Sequence, residues 1–275
     1  RPSTKETFEK TITRQMIEMR TVRGWARNEK WEWDYIIDPQ YRIGYVRISS
    51  FERLTTQQLD EVMKELLAKK RIRGLILDLR NNPGGLLPVV VDLTNRFLPE
   101  GTIVSTKGRI TTEEPYLATY EHTYPKIPTV VLINRGSASA SEIFAGALKD
   151  HQRAILVGEK TFGKGSVQEI FRIENRDGST SRIKLTTAYY HLPNGERIHG
   201  RGVEPHKIVE LTDEERMALN KSRLAVYSTS HIPTTTQAAT ATTPADKRVE
   251  IIIDRQLQTA LDALREQVNT QSSDS

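Results

Sequence analysis

Gly74-Leu-Ile-Leu-Asp-Leu-Arg-Asn-Asn-Pro-Gly-Gly, residues 74–85, is the stretch that decides the fold. Residues 74–79 are nearly all apolar, the pattern of a strand covered on both faces, and a glycine-rich turn follows. An apolar helix is then predicted from about Leu86 to Phe97. Upstream, Tyr41-Arg-Ile-Gly-Tyr-Val-Arg-Ile reads as a strand. A helix follows it, with Thr55 or Thr56 able to cap and Leu59, Val62, Met63, Leu66 and Leu67 at helical spacing. Downstream the order recurs, with Val130-Val-Leu-Ile-Asn as strand, Ser141 to Lys149 as helix and Ala154-Ile-Leu-Val as strand. Strands alternating with helices in this way predict an α/β core around a largely parallel sheet.

Outside this core the chain changes character. Phe8 and Ile12 mark a strand over residues 6–13, and Val167 to Tyr190 reads as strands joined by a hairpin at Asn175-Arg-Asp-Gly. Residues 228–245 are rich in Ser, Thr, Ala and Pro, and helical spacing returns from Val249 to Leu264 before a polar tail. The resulting division is a first segment 1–20, a core 21–210, a linker 211–245 and a helix with tail 246–275.

Composition removes several function classes. No apolar run in the 275 residues approaches the roughly 18 that suggest a membrane helix. The net charge of +5 comes from 40 basic and 35 acidic residues without a concentrated basic stripe, so no nucleic-acid partner is expected. The absence of cysteine rules out disulfides, thiolate metal sites and a cysteine nucleophile, and leaves the compartment open.

Two stretches carry candidate chemistry. Gly136-Ser-Ala-Ser-Ala-Ser-Glu, at a strand-to-helix junction, can present a serine hydroxyl where free backbone N–H groups favour negative charge, although serines before helices are usually caps. Gly158-Glu-Lys-Thr-Phe-Gly-Lys-Gly-Ser-Val-Gln imitates a phosphate-binding loop, but Gly165 stands where Ser or Thr must ligand magnesium, and a strand-like run follows. Lys164 there is either a solvated charge or a base, and in an extended chain Gln168 falls on its side. His151 and His191 lie in neither stretch and form no competing triad.

Taken with Arg80-Asn-Asn-Pro-Gly-Gly, these stretches resemble the carboxyl-terminal processing (tail-specific) proteases, serine peptidases with a Ser-Lys dyad, over about residues 41–210. The resemblance implies a ClpP/crotonase-like α/β core, a PDZ remnant in residues 1–20 and a C-terminal helical segment. It implies Ser139 as nucleophile, Lys164 as general base and Gln168 as its support. Ala140 and either Gly84 or Gly85 would supply oxyanion N–H groups, while Asp78, Arg80 and Glu142 hold the centre together. It implies no metal and no cofactor, protein or peptide substrates with accessible C-termini, and an extracytoplasmic, periplasm-like setting with any signal or anchor beyond this sequence; a homo-oligomer is compatible with it. A catalytically silent peptide-binding scaffold of the same fold is the alternative. A lysine base near neutral pH must be shifted by roughly 3 units from about 10.4, so Lys164 is expected to be desolvated.

Overall fold

The computed structural model describes residues 13, 18–109, 113–120, 123–227 and 254–273. Most of the predicted strand at 6–13 and of the proposed PDZ remnant lies outside the described residues.

The parallel sheet arises where the apolar runs are longest. Strands β5 (Ile43–Ile48), β6 (Gly74–Asp78), β9 (Thr129–Ile133), β10 (Ile155–Gly158) and β13 (Lys207–Ile208) lie side by side in that order, all parallel. The outer edge of β5 carries two short antiparallel strands, β1 (Val22–Arg23) near its end and β4 (Ile36–Asp38) near its start. Between them, β2 (Ala26–Arg27) and β3 (Trp33–Asp34) form a small ribbon.

Alternation of side chains explains why both faces are apolar. Val46, Ile48, Leu75, Leu77, Val131, Ile133 and Leu156 belong to one buried cluster, shared with helices α1 (Thr55–Lys64), α2 (Leu87–Asn95) and α3 (Ala140–Asp150). Tyr45, Ile76, Val130, Leu132 and Val157 face the other way, against Ala260, Ala263 and Leu264 of α5 (Arg255–Ser273). Burying a leucine such as Leu264 contributes about 2 kcal/mol. Helix α1 begins one residue after Leu54 and runs into a π-helical turn, Glu65–Lys69; Thr55 does not cap it but accepts the Glu52 N–H on its hydroxyl.

A second, antiparallel sheet has the order β11 (Ser166–Glu174), β12 (Thr180–His191), β7 (Thr102–Gly108) and β8 (Glu114–Leu117). Only residues 188–191 of β12 pair with β7, so the rest of β11 and β12 projects as a two-stranded ribbon closed at Asn175 to Ser179. Phe171, Ile173, Ile183 and Leu185 share one exposed side of it.

Within the span 211–245, expected to be a linker, the chain instead forms helix α4 (Asp213–Tyr227). Its start is a capping box: Thr212 Oγ1 accepts the Glu215 N–H and the Glu215 carboxylate accepts the Thr212 N–H at 2.7 Å.

Candidate active site

The three motifs meet at the C-terminal ends of the parallel strands. The turn after β6 leads through Asn81 to Gly85, the loop after β9 through Asn134 to Ser139, and the loop after β10 from Glu159 to Gly165. Asn82, fully buried, joins the first two. Its backbone oxygen accepts the Ala138 N–H at 3.0 Å and the Ser141 hydroxyl at 2.9 Å, and its side chain donates to Ile48 O and accepts the Gly84 N–H at 2.9 Å. Small residues make this approach possible. A Cβ on Gly84, whose φ is +102°, would lie 2.7 Å from Ala138 O and 2.9 Å from Ser139 Cβ.

Ser139 sits half-buried immediately before α3 with φ 56° and ψ −114°, a backbone geometry that non-glycine residues rarely adopt. Glu142, three residues on and fully buried, fixes it. One oxygen, Oε2, accepts the Ser139 N–H and the Lys164 N–H, each at 2.8 Å. The other, Oε1, accepts the Thr161 hydroxyl and the Gly163 N–H, each at 2.6 Å. This carboxylate thus ties the serine loop to the lysine loop with four charge-assisted bonds. The lysine loop is also tight against its neighbours: a Cβ on Gly165 would lie 2.5 Å from His199 N.

Beyond that tie the side chains diverge from expectation. Lys164 is exposed rather than desolvated, because Glu142 holds only its backbone while the side chain leaves the loop towards solvent. Among the described residues no hydrogen bond joins Ser139 Oγ to Lys164 Nζ. Gln168 is exposed too, and its amide bonds Thr186 Oγ1 at 3.5 Å rather than Lys164. The strand parity expected to align the two is broken, since the pairing of β11 with β12 shifts register between Val167 and Gln168. The neighbouring Lys160 is paired with Glu204 at 2.7 Å.

For an oxyanion, the two glycines differ. The Gly84 N–H is taken by Asn82, whereas the N–H groups of Gly85 and Ala140 have no acceptor among the described residues. No described group of three or more His, Asp or Glu side chains could hold a metal ion. The loop that imitates a phosphate-binding loop runs into strand β11, not into a helix.

Asp78 and Arg80 form a buried ion cluster on the α5 face. Arg80 contacts the Asp78 carboxylate at 2.7 Å and Asp254, just before α5, at 2.8 Å. Arg223 of α4 and the Tyr45 hydroxyl also reach Asp78, at 3.0 and 2.6 Å. Burial pushes the Asp78 carboxyl up, but the Arg80, Arg223 and Arg47 guanidiniums outweigh it and hold it well below the usual carboxylate range. Their contacts run to the two C-terminal helices rather than to Ser139. Asn82, Thr161 and Ser137 escaped the sequence reading. Each is a small polar residue inside a motif already singled out, and its burial is the property that the one-dimensional pattern does not carry.

Residues 42–209 match the model of peptidase family S41, and the chain belongs to that family. It is 42% identical over 200 residues to the carboxyl-terminal-processing protease of Synechocystis sp., covering 73% of this chain and 44% of that protein. It is 44% identical over 172 residues to the carboxy-terminal-processing protease of Bartonella bacilliformis, covering 61% of this chain and 39% of that one. Among solved structures it resembles the photosystem II D1 C-terminal processing protease, with a TM-score of 0.57 and 33% identity over 72% of this chain and 50% of that one. The chain therefore spans less than half the length of these two sequence relatives.

Proposed function

We propose that this chain is the catalytic part of a serine endopeptidase that cleaves protein substrates near their C-termini, with Ser139 as nucleophile and Lys164 as base. The observation that carries this reading is the Glu142 carboxylate, which fastens the backbones of Ser139 and Lys164 to a single oxygen atom. In the forward step Ser139 Oγ bonds to the scissile carbonyl carbon as its proton passes to Lys164 Nζ. The C–N bond then breaks and the leaving amine takes that proton, and water repeats the sequence on the acyl ester. Ala140 and Gly85 are the donors best suited to the oxyanion, since Gly84 is already engaged. Each such donor is worth about 3 kcal/mol in the transition state. In this reading Gln168 supports the lysine, and Asp78 and Arg80 support the site at one remove. Substrate covering Lys164 would supply the desolvation that a neutral amine needs. A PDZ remnant in residues 1–20 and an extracytoplasmic setting belong to the same reading. No described helix is long and apolar enough to cross a membrane.

The exposure of Lys164 favours a second reading, a silent peptide-binding scaffold. Labelling by a serine-directed fluorophosphonate, together with cleavage of an unfolded protein, separates the two. Label on Ser139 and cleavage lost in Ser139→Ala support the peptidase. A chain that binds peptides but neither labels nor cleaves supports the scaffold.

A further inference from the structure

Besides the buried Leu219 and the Tyr227 ring against Trp33, helix α4 carries one polar stripe that meets the roots of the candidate active-site loops in spatial order. Arg216 bonds Glu159, the buried first residue of the lysine loop, at 3.3 Å. Asn220, one turn on, accepts the Asn81 amide at 3.2 Å. Asn81 is itself bonded twice to Asn134 at the end of β9, at 2.8 and 3.0 Å. Arg223, a further turn on, reaches Asp78 at the end of β6 at 3.0 Å. The seven residue steps from Arg216 to Arg223 rise about 10.5 Å, and two strand spacings, from β10 across β9 to β6, measure roughly 9.6 Å. The helix therefore lies across the strand ends with a matching repeat. Glu159 also accepts the Arg135 guanidinium at 3.2 Å, which extends the tie to the loop carrying Ser139.

We propose that α4 is a strap that sets the spacing of the three loops, with Arg216 and Arg223 as positioning residues for the Ser139 centre. The catalytic meaning of that spacing rests on the peptidase reading, but the strap does not. A polar attachment suits the task. Ion pairs and an amide contact fix direction and distance at discrete points, whereas Leu219 is the only buried residue of α4.

The test uses the full chain with Arg216→Ala, Asn220→Ala and Arg223→Ala, and with Lys221→Ala on the exposed side of α4 as control. Amide hydrogen exchange is followed over residues 78–86 and 158–165, alongside the fluorophosphonate labelling rate of Ser139 and the thermal midpoint. Arg216→Ala should speed exchange in 158–165 about tenfold and Arg223→Ala in 78–86, with the strands between them unaffected. Labelling should slow about tenfold in both, recover partly in Arg216→Lys, and stay unchanged in Lys221→Ala. Asn220→Ala removes the weakest tie and should show the same changes at smaller size. Unaltered exchange in both loops overturns the strap, as does exchange that rises equally throughout β5, β6 and β9. A parent chain that never labels sinks the peptidase reading alone, because exchange still decides the strap.

Discussion

Glu142 Oε2 accepts the backbone N–H of Ser139 and that of Lys164, each at 2.8 Å, so the two residues proposed for proton exchange hang from one atom. In Glu142→Gln the amide keeps the shape but offers a single acceptor oxygen to the four donors around it. The loss should be about 3 kcal/mol of stability, the scale of charged hydrogen bonds left unmade, with proteolysis falling at least a hundredfold. Denaturant unfolding and a peptide assay check both. Full activity in this variant would show that the tie is not needed.

Ser139→Ala and Lys164→Ala should each abolish cleavage with the fold intact, because nucleophile and base act as a unit. Lys164→Arg should be equally inactive, since a guanidinium does not deprotonate at working pH. Lys160→Ala removes only an exposed pair with Glu204 and should retain activity. Turnover by Lys164→Arg, or loss of turnover confined to Lys160→Ala, contradicts the assignment.

Asp78 is enclosed by Arg47, Arg80 and Arg223. Asp78→Ala leaves three guanidiniums without their shared anion and should destabilise the chain by about 3–5 kcal/mol, as loss of one partner from a buried ion pair does. Calorimetry should find Arg223→Ala milder, because Asp78 keeps two partners. Equal midpoints for Asp78→Ala and the parent would mean that the cluster contributes nothing net.

His206 accepts the Leu156 N–H on Nδ1 at 2.9 Å, which requires a neutral ring. Burial, and then the positive charge of Lys149, hold its pKa below the ordinary histidine value. A histidine depressed in the folded state contributes fully above its unfolded pKa of about 6.5 and loses that contribution as pH falls through the lower folded value. Thermal midpoints measured from pH 7.5 down to 5 should therefore fall more steeply for the parent than for His206→Asn. Parallel slopes would remove His206 from the acid response.

The central sheet was legible because its strands are short apolar runs bounded by turns, and Ser137-Ala-Ser-Ala-Ser could be recognised by its small residues. Of the second sheet, the hairpin of β11 and β12 was legible from Asn175-Arg-Asp-Gly, but its join to β7 was not, since β12 pairs with β7 some 80 residues away, through residues 188–191 and 105–108, and no local pattern announces such a pairing. Helix α4 was hidden by its polar composition, although Thr212-Asp-Glu-Glu is a start signal in its own right. Lys164 and Gln168 show a different limit. Their motif could be found in the sequence, but whether a lysine is covered and whether a bulge intervenes depend on what the rest of the chain brings near.

The backbone of Ser139 turns at φ 56° and ψ −114°, a conformation that glycine tolerates and serine resists at a cost on the order of 1–3 kcal/mol. The hydroxyl at this corner is thus maintained against the preference of the chain, and Ser139→Gly should give a protein that is inert yet melts higher. In a population of variants selected only for thermal endurance, this serine would be among the first residues to disappear.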